Sequence, residues 1–131
     1  MSFQVLEAIE FTNPSMEESS RYAGVLILTE IARNSPTYFH LHISIVFDEV
    51  LVLLRNTAII IREAAAELLA ACVEIVVERG HRIQPSPYLS RILADAQAGL
   101  NHHQPEIIHG SLLAYRELFL HADKVSLHIA Y

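Results

Sequence analysis

Apolar residues recur along this chain at steps of three and four, and prolines and short polar clusters mark where each run stops. In "IIIREAAAELLAACVEIVVERG", residues 59 to 80, Ile61, Ala65, Leu68, Cys72 and Ile75 share one stripe of an α-helix while the acids turn away. A membrane span needs about 20 residues with almost no charge. Arg62, Glu63, Glu67 and Glu74 interrupt this run, so another helix rather than lipid must cover the stripe.

The same reading places five more helices. "FQVLEAIEF" predicts a short one from Phe3 to Phe11, apolar at Phe3, Val5, Leu6 and Ile9. Ser15 with Glu18 three residues on has the capping-box spacing, which predicts a helix from about Met16 to Arg33. Ser35 can cap and Pro36 can fill the first helical position, where a missing N–H costs nothing, so the next helix runs to about Leu54. Asn56 or Thr57 opens the helix of the quoted run, and Gly80 suits its left-handed termination. Ser86 and Pro87 repeat the cap-and-proline device for a helix to Leu100, with Leu89, Ile92, Leu93, Ala96 and Leu100 inward. Pro105 starts the last, with Ile108, Leu112, Tyr115 and Phe119 on one face. No strand alternation competes with these assignments.

The expected fold is all-α, with three antiparallel helix pairs at about 3–33, 36–79 and 87–121. The second helices of the pairs align so that Gly24, Ala65 and Ser111 coincide, as do Leu28, Leu69 and Tyr115. The offsets are 41 and 46 residues, within the roughly 40 to 47 of HEAT and armadillo arrays. A small residue lets two helices approach and the bulky residue after it fills the groove between pairs. "NTAIIIREAA" continues the pattern with a turn residue, a β-branched residue, Arg62 and then small residues. Asn56 stands where that pattern usually has aspartate. The architecture expected is a HEAT-like α-solenoid over residues 1–122, followed by a divergent tail, 123–131.

Composition narrows the function. The chain has 131 residues, enough for one domain with a modest core. It is 52% hydrophobic and 18% charged, so broad surfaces are buried. Net charge is -6 and Lys124 is the only lysine. Nucleic-acid binding needs clustered positive charge and a membrane-surface helix needs a basic face; neither is present. Cys72 is the sole cysteine, so no intramolecular disulfide forms. "MSFQVLEAIEF" lacks the basic-then-apolar order of a secretory signal, and the cytoplasm is the expected compartment.

Catalytic and metal chemistry finds little material. His40 and His42 are two apart on a helix and point in different directions. His102 and His103 sit in a loop with no cysteine or carboxylate at ligand spacing. Cys72, among alanines and valines, reads as a core residue rather than a nucleophile. Arg62 is expected to bond a carbonyl or carboxylate of a neighbouring repeat, and His109 to hydrogen-bond across to an adjacent helix. No phosphate-cradling glycine loop, nucleophile elbow or kinase signature occurs, so no enzyme activity and no cofactor are expected of this chain.

At "SSRYAGVLILTEIARNSPTYF", "IIREAAAELLAACVEIV" and "QPEIIHGSLLAYRELFLHA" the chain resembles the N-terminal HEAT region of the target of rapamycin (TOR) kinases, most like fungal versions. The resemblance spans about Phe3 to Ala122; the tail "DKVSLHIAY" leaves the family pattern. TOR is a very large serine/threonine kinase whose catalytic domain lies far toward its C-terminus. The resemblance implies a scaffold segment that contacts neighbouring HEAT repeats and Raptor-type subunits. None of the family's ATP, magnesium or rapamycin-binding residues carries over. The alternative is an independent HEAT adaptor, such as a transport-receptor or phosphatase-scaffold piece. Glu30, Arg33, Glu74, Glu78 and Arg79 are the candidates for partner contact. Apolar first and last helices predict self-association through uncapped ends, because natural end repeats carry polar outer faces.

Overall fold

The computed structural model describes residues 2–79 and 86–121, and over these helix is the only regular structure. The elements are α1 (Ser2–Phe11), α2 (Glu18–Asn34), α3 (Pro36–Phe39), a 3-10 turn (His40–His42), α4 (Ile43–Leu53), α5 (Ile59–Arg79), α6 (Pro87–Gly99) and α7 (Pro105–Leu120). The fold is all-α, as the periodicity predicts. The expected termination at Gly80, the packing of the Phe3 side chain and the tail after Ala122 lie outside the described residues.

Three local expectations are corrected. The helix expected over 36–54 is broken by the 3-10 turn, because "HLH" supplies no inward apolar residue between Phe39 and Ile43: Leu41 is 76% exposed while its flanking aromatic and isoleucine are buried. Ser15 does not cap α2. Its hydroxyl and its N–H both donate to Asn13 Oδ1, at 2.8 and 2.9 Å, so Asn13 organises the turn and the helix starts at Glu18. Asn56 acts in the same way, accepting the Ala58 N–H at 2.8 Å, and α5 begins only at Ile59. At Ser86 the expectation holds, since its Oγ accepts the Leu89 N–H and Pro87 follows at the first helical position.

Helix α5 is the hub, and α2, α4 and α7 all pack on it. α1 pairs with α2, and α6 with α7 and α4. One row therefore runs α2, α5, α7, and a second row of α1, α4 and α6 backs it. Burial on α5 is wider than a single stripe for this reason. Its stripe residues are all buried, but so are Ala64, Ala66, Leu69, Ala71, Val73 and Val76, and apart from the helix ends (Ile59, Ile60 and Arg79) it is the line of Glu63, Glu67, Glu74 and Glu78 that faces water. Val25, Leu28, Phe39, Phe47, Leu53, Ile61, Leu68, Leu89 and Ile92 make a continuous core, each worth about 1.5–3 kcal/mol of apolar burial. Phe47 stacks on Tyr88 with ring centroids 5.1 Å apart, tying α4 to α6. Arg55–Asp95 (3.2 Å) and Arg91–Asp48 join the same two segments at the surface, where such pairs contribute little.

On α7 the inward face is not the expected one. Leu112 and Phe119 are 53% and 69% exposed, and Ile107, Gly110, Ala114 and Leu118 are buried instead. Gly110 takes the point of closest approach, where the Leu54 carbonyl at the end of α4 leaves no room for a side chain. Leu100 is also outside, 39% exposed just past the end of α6.

Ala65 is wholly buried at the centre of α5. Ala65→Leu is expected to overpack this site and cost roughly 1–3 kcal/mol. Glu74→Leu, on the exposed line of the same helix, should shift the urea midpoint hardly at all. Equal midpoints for the two variants would show that α5 is rotated from the register described.

Candidate functional site

The positions aligned by the repeat spacing are contact points between helices. Gly24 faces α1: a Cβ there would meet the Ala8 carbonyl oxygen at 2.8 Å and Phe11 Cβ at 3.0 Å. Ala65 is enclosed within the core, and Ser111 lies against Gly99 of α6. Leu28 and Leu69 are completely buried and Tyr115 is half-buried, stacked on Phe119 at 5.6 Å. Tyr115 therefore occupies the repeat position of two core leucines while still reached by water.

Arg62 holds three segments together. It is 7% exposed, its Nε donates to His109 Nδ1 at 3.0 Å, and its Nη1 donates to the Asn56 and Thr57 carbonyls at 2.9 and 3.0 Å. The guanidinium thus spans from the α4–α5 turn to α7. The carbonyls come from the turn just before its own helix rather than from a neighbouring pair, and the cross-helix partner is an imidazole rather than a carboxylate. For Nδ1 to accept, the His109 ring proton sits on Nε2. Asn56 serves the clamp with its backbone carbonyl while its side chain makes the turn, which explains why aspartate is not required there.

Sequence reasoning missed two further contact residues, Gly99 and Gly110. A Cβ on Gly99 would overlap Ser111 Oγ, and one on Gly110 would overlap the Leu54 carbonyl oxygen. A mid-helix glycine costs about 1 kcal/mol relative to alanine, and that cost at Gly110 was the available signal of a close approach.

The partner-contact candidates all reach solvent. Glu30 and Arg33 are exposed on α2, and Glu74, Glu78 and Arg79 on α5. Glu30 accepts from Asn34 Nδ2 at 3.0 Å on its own helix. Burial pushes the Cys72 thiol well above its ordinary pKa, which disfavours the thiolate that nucleophilic chemistry needs. Among the described residues no group of three histidine, cysteine, aspartate or glutamate side chains is placed to hold a metal ion, and no helix is long and apolar enough to cross a membrane. A groove of about 350 Å³ lies between α1 and α2, lined by Gln4, Glu7, Ala8, Phe11, Ile27 and Ile31. It is mainly apolar and brings no set of polar groups to one point.

Paired helices with small residues at their contacts, a cross-helix arginine clamp and an exposed charged line define an all-α segment of packed helix pairs. The comparisons specify it further. No family model and no solved structure matches the chain. It is 38% identical over 119 residues to the serine/threonine-protein kinase tor1 of Schizosaccharomyces pombe and 37% identical over 119 residues to the serine/threonine-protein kinase TOR of Arabidopsis thaliana. To the serine/threonine-protein kinase TOR2 of Saccharomyces cerevisiae it is 30% identical over 113 residues. These alignments take in 91%, 90% and 86% of this chain. The chain belongs to the TOR kinase family as a segment, spanning 5%, 5% and 4% of the length of these relatives. Among the described residues it holds helices alone.

Proposed function

We propose that this chain is a HEAT-like α-solenoid segment that serves a TOR-type kinase as a scaffold, stacking on neighbouring repeats and presenting a charged helix face to protein partners such as Raptor-type subunits. The observation that supports the reading is the packing order: α2, α5 and α7 contact in series, with α1 and α6 packed on the first and last of them, within a segment that matches TOR kinases over nine-tenths of the chain. Gly24, Ala65 and Ser111 act as the close-approach positions, Leu28, Leu69 and Tyr115 as the groove fillers, and Arg62 as the clamp. Glu74, Glu78 and Arg79 are the proposed contact residues on the central helix, with Glu30 and Arg33 beside them on α2. A free-standing HEAT adaptor would share the stacking, but the match to several TOR kinases does not favour it.

The test is made in a full-length TOR-type kinase. Charge reversal at the positions equivalent to Glu74, Glu78 and Arg79 is expected to lower co-purification of the Raptor-type subunit by about tenfold, the effect of losing one good contact. Phosphorylation of a short peptide should be unchanged. Loss of peptide phosphorylation with the subunit retained would place these residues in catalysis and overturn the scaffold reading.

A further inference from the structure

Of all the serines and threonines in the chain, only Ser15 is followed three residues on by an acid, Glu18, and a second acid, Glu17, stands between them. Helix formation makes little use of this group. Ser15 does not cap α2, and Glu17, at the N-cap position, makes no side-chain cap hydrogen bond. Residues 13–18 are all exposed, and all but the last lie between α1 and α2. Surface segments outside the helices are the parts of a fold that another enzyme can reach.

The other hydroxyls lack this combination. Thr12, Thr29, Ser86 and Ser111 are buried. Ser44 is exposed but sits inside α4. Thr57 is exposed in the α4–α5 turn, yet Ala58 and three isoleucines follow it, and its carbonyl is held by Arg62. The turn that carries Ser15 is anchored elsewhere: Arg21 Nε donates to the Thr12 carbonyl at 3.0 Å, and Thr12 Oγ1 meets Glu49 Oε2 of α4 at 2.8 Å. The Ser15 hydroxyl has one exposed bond to give up, to Asn13 Oδ1, and the Ser15 N–H holds the same acceptor independently. It can therefore react without undoing the turn.

We infer that Ser15 is a phosphorylation site for an acid-directed serine/threonine protein kinase. Glu18 and Glu17 are the charges that the basic substrate pockets of such an enzyme select. Ser15 Oγ attacks the γ-phosphorus of magnesium-bound ATP and forms the new P–O bond. The bond from that phosphorus to the oxygen bridging to the β-phosphate breaks, ADP leaves with its electron pair, and the hydroxyl proton passes to the carboxylate base of the kinase. The phosphoserine carries a charge of about −1.5 to −2 at pH 7, so the turn between α1 and α2 becomes strongly anionic while its anchors at Thr12 stay in place.

Incubation of the whole chain with ATP, magnesium and a purified kinase of the casein-kinase-2 type tests this, with a basic-directed kinase in parallel. One phosphate per chain, mapped to Ser15 by peptide mass, is expected with the acid-directed enzyme, and none at Ser15 with the basic-directed one. Ser15→Ala should abolish incorporation, and Glu18→Gln should slow it about tenfold, the effect of losing one charge contact. Both substitutions fall on exposed side chains, so helical circular dichroism should match the wild type. Incorporation that survives Ser15→Ala at the wild-type rate, through Ser19 or Ser20, overturns the assignment. A folded chain left unmodified by the acid-directed enzyme overturns it too, even if a free peptide of residues 11–20 is a substrate, because the turn would then be closed to the kinase. Either failure leaves the scaffold reading untouched, since that is measured by subunit co-purification.

Discussion

Gly110→Ala is expected to destabilise the chain by about 2–3 kcal/mol, although alanine is the better helix former. The propensity gain is about 1 kcal/mol. Against it stands a direct overlap: the added methyl would occupy the place of the Leu54 carbonyl oxygen, with the Leu54 carbonyl carbon 2.9 Å away. That carbonyl belongs to the end of α4, and Leu54 itself is 3% exposed. A backbone group cannot rotate aside as a side chain does, so α7 would have to move away from α4 and open the packing beneath it. Overpacking of this kind costs typically 1–3 kcal/mol, with more where the backbone must shift. Gly99→Ala is the control. Its methyl would meet the Ser111 hydroxyl, which can turn away at the loss of its hydrogen bond to the Ile107 carbonyl (2.9 Å), about 1 kcal/mol and close to the propensity gained. Urea unfolding of the two variants should therefore separate them clearly. Matching midpoints would show that α7 does not sit against the Leu54 carbonyl.

The second large effect is expected at Arg62. Arg62→Lys keeps the charge and most of the length but should cost about 2–4 kcal/mol. The guanidinium reaches the Asn56 and Thr57 carbonyls with one nitrogen and His109 Nδ1 with another. An ammonium is a point charge without that planar fork and can satisfy the carbonyls or the imidazole, not both. The groups it abandons are in a site only 7% exposed, where hydrogen bonds to a charged donor are worth about 1.5–3 kcal/mol and unmet partners add a desolvation cost. A double-mutant cycle with His109→Ala isolates the cross-helix part, and a coupling of about 0.5–3 kcal/mol is expected for directly bonded residues. Coupling near zero would mean that the clamp is confined to the α4–α5 turn and does not reach α7.

Sequence is enough to make this chain helical, to place most of its helices apart from their exact ends, and to connect it with the TOR kinases. Helical periodicity is a local property, written every three or four residues, and the prolines at 36, 87 and 105 mark first turns because a missing N–H is harmless only there. The small residues at 24, 65 and 111 were legible as contacts because a repeat writes the same requirement three times. The rotation of each helix against its neighbours is settled only by packing. Leu112 and Phe119 have the spacing of a buried face, yet Gly110 and Ala114 take the inside of α7. Hydrophobicity says that a face prefers cover, whereas the distance to Leu54 and Gly99 determines which face fits. Leu54 lies some fifty positions away along the chain and Gly99 on the preceding helix, so no local pattern within α7 carries that distance. The Arg62–His109 bond is of the same kind: neither residue's local sequence implies the other, and only the packing of α5 on α7 brings donor and acceptor to 3.0 Å.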